Sequence, residues 1–250
     1  MHVNYHLYDV KVSSPMEIYR NFQEMETATG LKSKYFDYLY SLPQGKADHP
    51  GDFSSRSISR IKLEKGLATG DISSFNMSNE EDLGSENIYA MYYNSRDHGG
   101  LSTVTLHFPE RTFNNKLELV AERFIGILSP SYGFRCCTGD AAKGVSYHLS
   151  STIFKNERGN FSAYISGTEV IRSPRMIYPI NYFSENQLSQ KAGGLPLRDF
   201  IFNSFGNDML KKVGGSVYRM DVDAQDLPRI NDVFGAAGFL ISWIEPRKKK

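Results

Sequence analysis

Residues 177–201 read IYPINYFSENQLSQKAGGLPLRDFI. Aromatic rings, a proline and several amides come first, a Gly-Gly turn follows, and one amphipathic helix closes the stretch. It holds no His-carboxylate pair, no nucleophile elbow and no phosphate loop, so its pattern concerns shape. Tyr178, Pro179, Asn181 and Tyr182 are expected to fix a buried passage from strand to helix, with the Asn satisfying backbone groups and the rings filling the core. Arg198, early in the helix, is expected to pair with a neighbouring carboxylate.

Working downstream, LPLRDFIFNSF sets Leu197, Phe200, Ile201 and Phe205 on one side, with Gly206 as a stop. DAQDLPRINDVFGAAG does the same with Leu227, Ile230, Val233, Phe234 and Ala237, ending at Gly238. GGSVYRMDV lies between them as a short strand, and FLISWI (239–244) reads as a closing strand.

Upstream, NNKLELVAERFIGILSP predicts a helix with Leu117, Val120, Ala121, Phe124 and Leu128 at three- and four-residue spacing, ended by Pro130. GVSYHLSSTIF and NFSAYISG read as strands joined by KNERG. Nearer the start, residues 3–12 suit a first strand, and SSPMEIYRNFQEM suits a helix capped by serine with Pro15 at its first position. Ile18, Phe22 and Met25 share one face of that helix. SISRIKLEK, NIYAMYYNS and LSTVTLHF are further strand candidates, the last two flanking a hairpin loop RDHGG. Residues 41–57 read as loop, and 76–87 as an exposed acidic stretch. The expected fold is α+β: a single domain over 1–250 with a mixed or antiparallel sheet and several packed helices. Two lobes, 1–110 and 111–245, with a basic tail at 246–250, are the second arrangement.

The bulk numbers narrow the function. With 40% hydrophobic and 13% aromatic residues the chain can build a substantial core. Its formal net charge is +1, and Arg247 to Lys250 supply four cations, so the remaining body is −3. A slightly acidic body argues against nucleic-acid binding. No apolar run is long enough to span a bilayer, and no secretory pattern is visible. The two cysteines, Cys136 and Cys137, are neighbours and poorly placed to bridge each other. These points predict a reducing, cytoplasmic setting.

Reactive chemistry finds little footing. His2, His6, His49, His98, His107 and His148 follow no metal-ligand spacing, so no metal and no cofactor is expected. Cys136 or Cys137 with His148 and Asp140 can be sketched as a nucleophilic trio, although closeness in sequence is not closeness in space. ADHPGDFSS followed by RIKLEK can be forced into a magnesium-nuclease mould. No catalytic residue is assigned. The loop NEEDLGSE offers Glu80, Glu81, Asp82 and Glu86 as a contact surface for a basic partner, since acidic clusters steer such encounters.

LVAERFIGILSPSYGF (119–134), SPRMIYPINYFSENQL (173–188), LPLRDFI, GGSVYRMDV and INDVFGAAGFLI (230–241) follow one another in an order and spacing that resemble bacterial polymorphic-toxin immunity proteins, in particular the Immunity protein 52 family. The resemblance covers roughly residues 113–241; Tyr218 stands where that family often has a tryptophan. It implies an α+β protein of toxin and type VI secretion systems that binds and neutralises a cognate toxin, often a nuclease-type one, without a catalytic residue. The alternatives are a metal-assisted hydrolase or cysteine enzyme of unfamiliar type, and a structural or adaptor component.

Overall fold

The computed structural model describes residues 1–41, 53–97, 100–148, 157 and 171–241. Twelve strands lie among them: β1 His2–Tyr8, β2 Tyr35–Ser41, β3 Phe53–Ser57, β4 Phe75–Ser78, β5 Ala90–Asp97, β6 Leu101–Pro109, β7 Tyr132–Thr138, β8 Ile180–Ser184, β9 Lys191–Ala192, β10 Leu195–Pro196, β11 Leu210–Gly214 and β12 Val217–Asp221. The described helices are α1 Pro15–Thr29, α2 Arg60–Thr69, α3 Asn115–Leu128, α4 Ala141–His148, α5 Glu185–Leu188, α6 Leu197–Phe205 and α7 Leu227–Ala236. Ten strands form one sheet in the order β11-β12-β8-β7-β1-β6-β5-β4-β2-β3, every neighbouring pair antiparallel. The fold is a single-domain α+β architecture whose sheet runs unbroken through both stretches read as alternative lobes.

Strand β1 explains why the first strand alternates so poorly in sequence. It sits mid-sheet between β6 and β7, and all seven of its residues are buried. Val3, Tyr5 and Leu7 enter the core beneath α1 and α3, with Phe22, Phe124 and Leu128. Tyr8 enters a second core on the opposite face, formed with Tyr132, Phe134, Ile201 and Phe234. A strand covered on both faces has no solvent side to mark with polar residues, so its period of two is lost.

Helix ends follow the expected caps. Ser14 Oγ accepts from the Glu17 amide at the start of α1, and Asn114 Oδ1 accepts from Leu117 at the start of α3. Ser129, in left-handed geometry at φ 45°, stops α3 and turns the chain through Pro130 into β7. Gly193 and Gly194, both at positive φ (57° and 86°), make the tight connection between β9 and β10.

Several expectations need correction. SISRIKLEK is not the strand its sequence suggests, since Arg60–Thr69 is helix α2: Ser59 caps it, Gly70 ends it in left-handed geometry, and Leu63 with Leu67 form its one buried stripe. That stripe is too thin to show a helical period when the window stops at Lys65. GVSYHLSSTIF likewise does not open as the expected strand; its first five residues, Gly144–His148, belong to α4, whose Ala141 and Gly144 let the helix lie close on the sheet. The rest of that segment and NFSAYISG fall outside the described residues. The supposed loop 41–57 ends in strand β3, which pairs with β2. The supposed exposed stretch 76–87 opens inside β4, with Met77 buried. Phe239 to Ile241 of the expected closing strand are buried or half-buried but extend no sheet; residues 242–244 and the basic tail lie outside the described residues.

Candidate partner-binding surface

The acidic residues singled out from sequence lie on the loop between β4 and β5. Glu81, Asp82 and Glu86 are exposed and Glu80 is half-buried. Asp82 Oδ1 accepts from the Gly84 amide at 2.8 Å, so one carboxylate shapes the loop.

The sketched cysteine trio does not assemble as a nucleophilic site. Adjacent strand residues point to opposite faces, which buries Cys136 and exposes Cys137. Burial pushes both thiols above their ordinary value, the reverse of activation. Asp140 is spent on Lys143, accepting from its amide at 2.7 Å and facing its Nζ at 3.3 Å. RIKLEK of the nuclease sketch is helical in α2, and most of ADHPGDFSS lies outside the described residues.

Sequence reasoning missed a meeting of histidines. His6, His107 and His148 come together on the α4 face of the sheet, His6 stacking on His148 with ring centroids 5.4 Å apart and standing 6.1 Å from His107. Asn4 Nδ2 donates to the His2 carbonyl and Thr138 Oγ1, which turns Asn4 Oδ1 toward His107 Nδ1 at 2.5 Å; His107 therefore carries its proton on Nδ1. Burial holds the His107 pKa down at about 3. A side chain at Gly144 would collide with Asn4, so α4 lies directly over this polar layer. Among the described residues no group of three or more His, Cys, Asp or Glu is arranged to hold a metal ion.

A groove of about 800 Å³ lies between α3 and the edge strand β11. Its floor is bare backbone, because Gly126 of α3 and Gly214 of β11 face each other. Leu119, Arg123 and Ile127 of α3 line one side, and Lys211 and Lys212 the other. Leu119 is 67% exposed and Ile127 43%, unusual for large aliphatics on a helix that also buries Leu117, Phe124 and Leu128. Lys116, Leu119, Arg123 and Ile127 recur at three- and four-residue spacing and are all exposed. That second stripe, off the core-facing side, was the sequence signal available for this surface.

Beneath the groove sits a charge network. Arg219 Nη1 reaches Glu118 at 2.9 Å and also Glu122, while its Nε reaches Asp221 at 2.6 Å. Arg135 Nη1 meets Glu118 at 2.8 Å from the neighbouring part of the sheet. The carboxylates lining the groove, Glu122 and Asp221, are engaged by Arg219, and Asp221 also faces Lys211 Nζ at 3.5 Å; four lining cations, Arg123, Lys211, Lys212 and Arg219, stand against these two carboxylates.

The stretch 177–201 performs the structural task expected of it. Asn181 Oδ1 accepts from the Tyr178 amide at 3.0 Å, and its Nδ2 donates to the Tyr178 carbonyl at 2.7 Å. Asn231 of α7 does the same for Ile177, at 2.8 and 2.9 Å. Tyr178 stacks on Phe134 at 3.8 Å, and Tyr182 is fully buried. Arg198 pairs with Glu185 at 2.8 Å and lies over the Tyr218 ring.

No family model matches the sequence, and no curated protein matches it. Among solved structures, the Pseudomonas aeruginosa T6SS protein PA0821 superposes with a TM-score of 0.51 at 12% identity, covering 95% of this chain and 76% of that one. The two share a fold. Among the described residues, no helix is long and apolar enough to cross a membrane.

Proposed function

We propose that the protein is an immunity protein that binds a cognate bacterial toxin and neutralises it through a protein–protein interface, in the cytoplasm of the cell that makes the toxin. The observation that carries this proposal is the fold shared, along nearly the whole chain, with a protein of the type VI secretion system. The ordered resemblance of residues 113–241 to polymorphic-toxin immunity proteins supports it; in the fold those segments flank the same part of the sheet, α3 on one face and α6 and α7 on the other.

Physical features fit a binding role. The side chains that looked most reactive are used structurally: the thiols are held up by burial, and Asp140 is tied to Lys143. Exposed large aliphatics lie instead among cations at the sheet edge. An exposed apolar patch rimmed by polar groups is a common mark of a protein contact. In this role the protein turns over no substrate and needs no cofactor.

Two measurements test the proposal. Co-expression with the product of the gene immediately upstream should give a complex that survives size exclusion, and the chain should restore growth to cells making that product. Absence of both the complex and the rescue would refute it.

A further inference from the structure

We infer that the groove between α3 and β11 is where the partner docks, and that its occupant is an acidic, extended segment of the partner protein laid along the outer edge of β11. This inference rests on the immunity function proposed above.

Topology supplies the first ground. β11 ends the ten-stranded sheet: β12 pairs with one of its edges, and no described strand pairs with the other. An edge strand offers unpaired amides and carbonyls that an extended peptide can complete. Lysines and bulges usually blunt such edges, and β11 has both, with Lys211 and Lys212 side by side and a register shift between Lys212 and Gly214. Those lysines select as well as block. A second copy of the chain would set lysines against lysines, and a neutral strand would leave them facing apolar groups, whereas an acidic strand pairs with them.

Charge and surface chemistry supply the second ground. Lys116, Arg123, Lys211 and Lys212 are all exposed on or beside the groove; Glu122 and Asp221 are tied to Arg219, and Lys211 also meets Asp221 at 3.5 Å. The lining carries four cations, Arg123, Lys211, Lys212 and Arg219, against two carboxylates, Glu122 and Asp221, so this face is net positive on a body whose net charge, without its four terminal cations, is −3. Leu119 and Ile127 stand between the cations, where an acidic segment carrying its own aliphatic residues can cover them. A phosphate backbone would meet the cations, leave both aliphatics in water, and approach against the charge of the body.

The groove lies well away from the acidic loop. Six strand steps separate β11 from β5, or roughly 29 Å at the usual spacing. Charge changes at the two places are therefore independent probes.

The test uses the full chain and the product of the gene immediately upstream as the probe. Association kinetics are measured for the wild type, for Arg123→Glu with Lys212→Glu, and for Leu119→Ala, with thermal unfolding checked for each. Both charge reversals are on exposed side chains, so the fold should be kept. The expected result is association slowed about tenfold or more by the double reversal, with a weaker salt dependence. Leu119→Ala should speed dissociation, and amides of β11 should gain hydrogen-exchange protection in the complex. A wild-type complex whose rates change less than twofold in both variants overturns the docking site and leaves the immunity function standing. No wild-type complex and no growth rescue removes both. Binding of duplex DNA or RNA at physiological salt, lost in the double reversal, makes the groove a phosphate site and overturns the protein occupant.

Discussion

Gly126 and Gly214 bring helix α3 and edge strand β11 into backbone contact: a Cβ built on Gly126 would sit 3.4 Å from Gly214 Cα, and one on Gly214 would sit 3.3 Å from Gly126 Cα. That closeness gives the groove its bare floor and sets the distance between its two sides. Alanine at position 126 gains helix propensity of about 1 kcal/mol, which offsets a tight contact with rigid backbone. Gly126→Ala should leave stability within about 1 kcal/mol of wild type. Gly126→Val must push β11 away and should cost about 2 kcal/mol in urea unfolding. Equal stability of the two variants would show that helix and strand do not meet closely.

Arg219 holds three carboxylates, Glu118, Glu122 and Asp221, at the base of the same groove. Removing the cation leaves like charges side by side in a site only about one-fifth exposed at Glu118 and Glu122. Arg219→Ala should therefore destabilise by about 2 to 3 kcal/mol. Arg219→Lys should recover less than half of that, because one ammonium cannot serve three directions. Chemical denaturation of both variants checks this, and full rescue by lysine would argue that net charge alone matters.

Asn181 satisfies both backbone groups of Tyr178 while itself fully buried. Asn181→Ala strands an amide and a carbonyl in the core and should cost about 2 to 3 kcal/mol. Asn181→Asp keeps the acceptor but turns the donor into an oxygen facing the Tyr178 carbonyl, so it should be at least as damaging at neutral pH and partly relieved by acid. A pH series of unfolding curves separates the two variants.

His107 gives the protein a defined acid weakness. Its pKa is about 3 in the fold and 6.5 in an ordinary setting, with His148 and His2 adding to the effect of burial. Between these values the unfolded chain takes up a proton that the fold refuses. Stability should therefore be fully present above about pH 6.5 and fall as the pH drops towards 3, by up to about 1.4 kcal/mol per unit. His107→Gln should flatten this slope between pH 6.5 and 4 even if it lowers stability at pH 7. An unchanged slope would assign the acid sensitivity to other groups.

Much of the fold was legible where one pattern acted alone. α1, α3, α6 and α7 each combine a clear stop or cap with one apolar stripe, and β5, β6 and β12 sit beside recognisable turns. The junction at 177–201 was legible because buried amides and rings near a proline have few other uses. Two of the illegible elements owe it to two-sided packing. β7 and β8 are almost wholly buried, so neither alternates, and the Cys pair in β7 suggested chemistry instead of a strand. β11 was missed because its lysines suit an edge, where no second strand enforces a pattern. The groove escaped notice because it joins residues 119–127 with 211–215, whose meeting depends on sheet order.

The most direct measurement of the central claim is growth of cells expressing the upstream gene product, with and without this chain, together with size exclusion of the two purified proteins. Rescue of growth and a stable joint peak are the predicted results. Undiminished toxicity with two separate peaks would contradict the account.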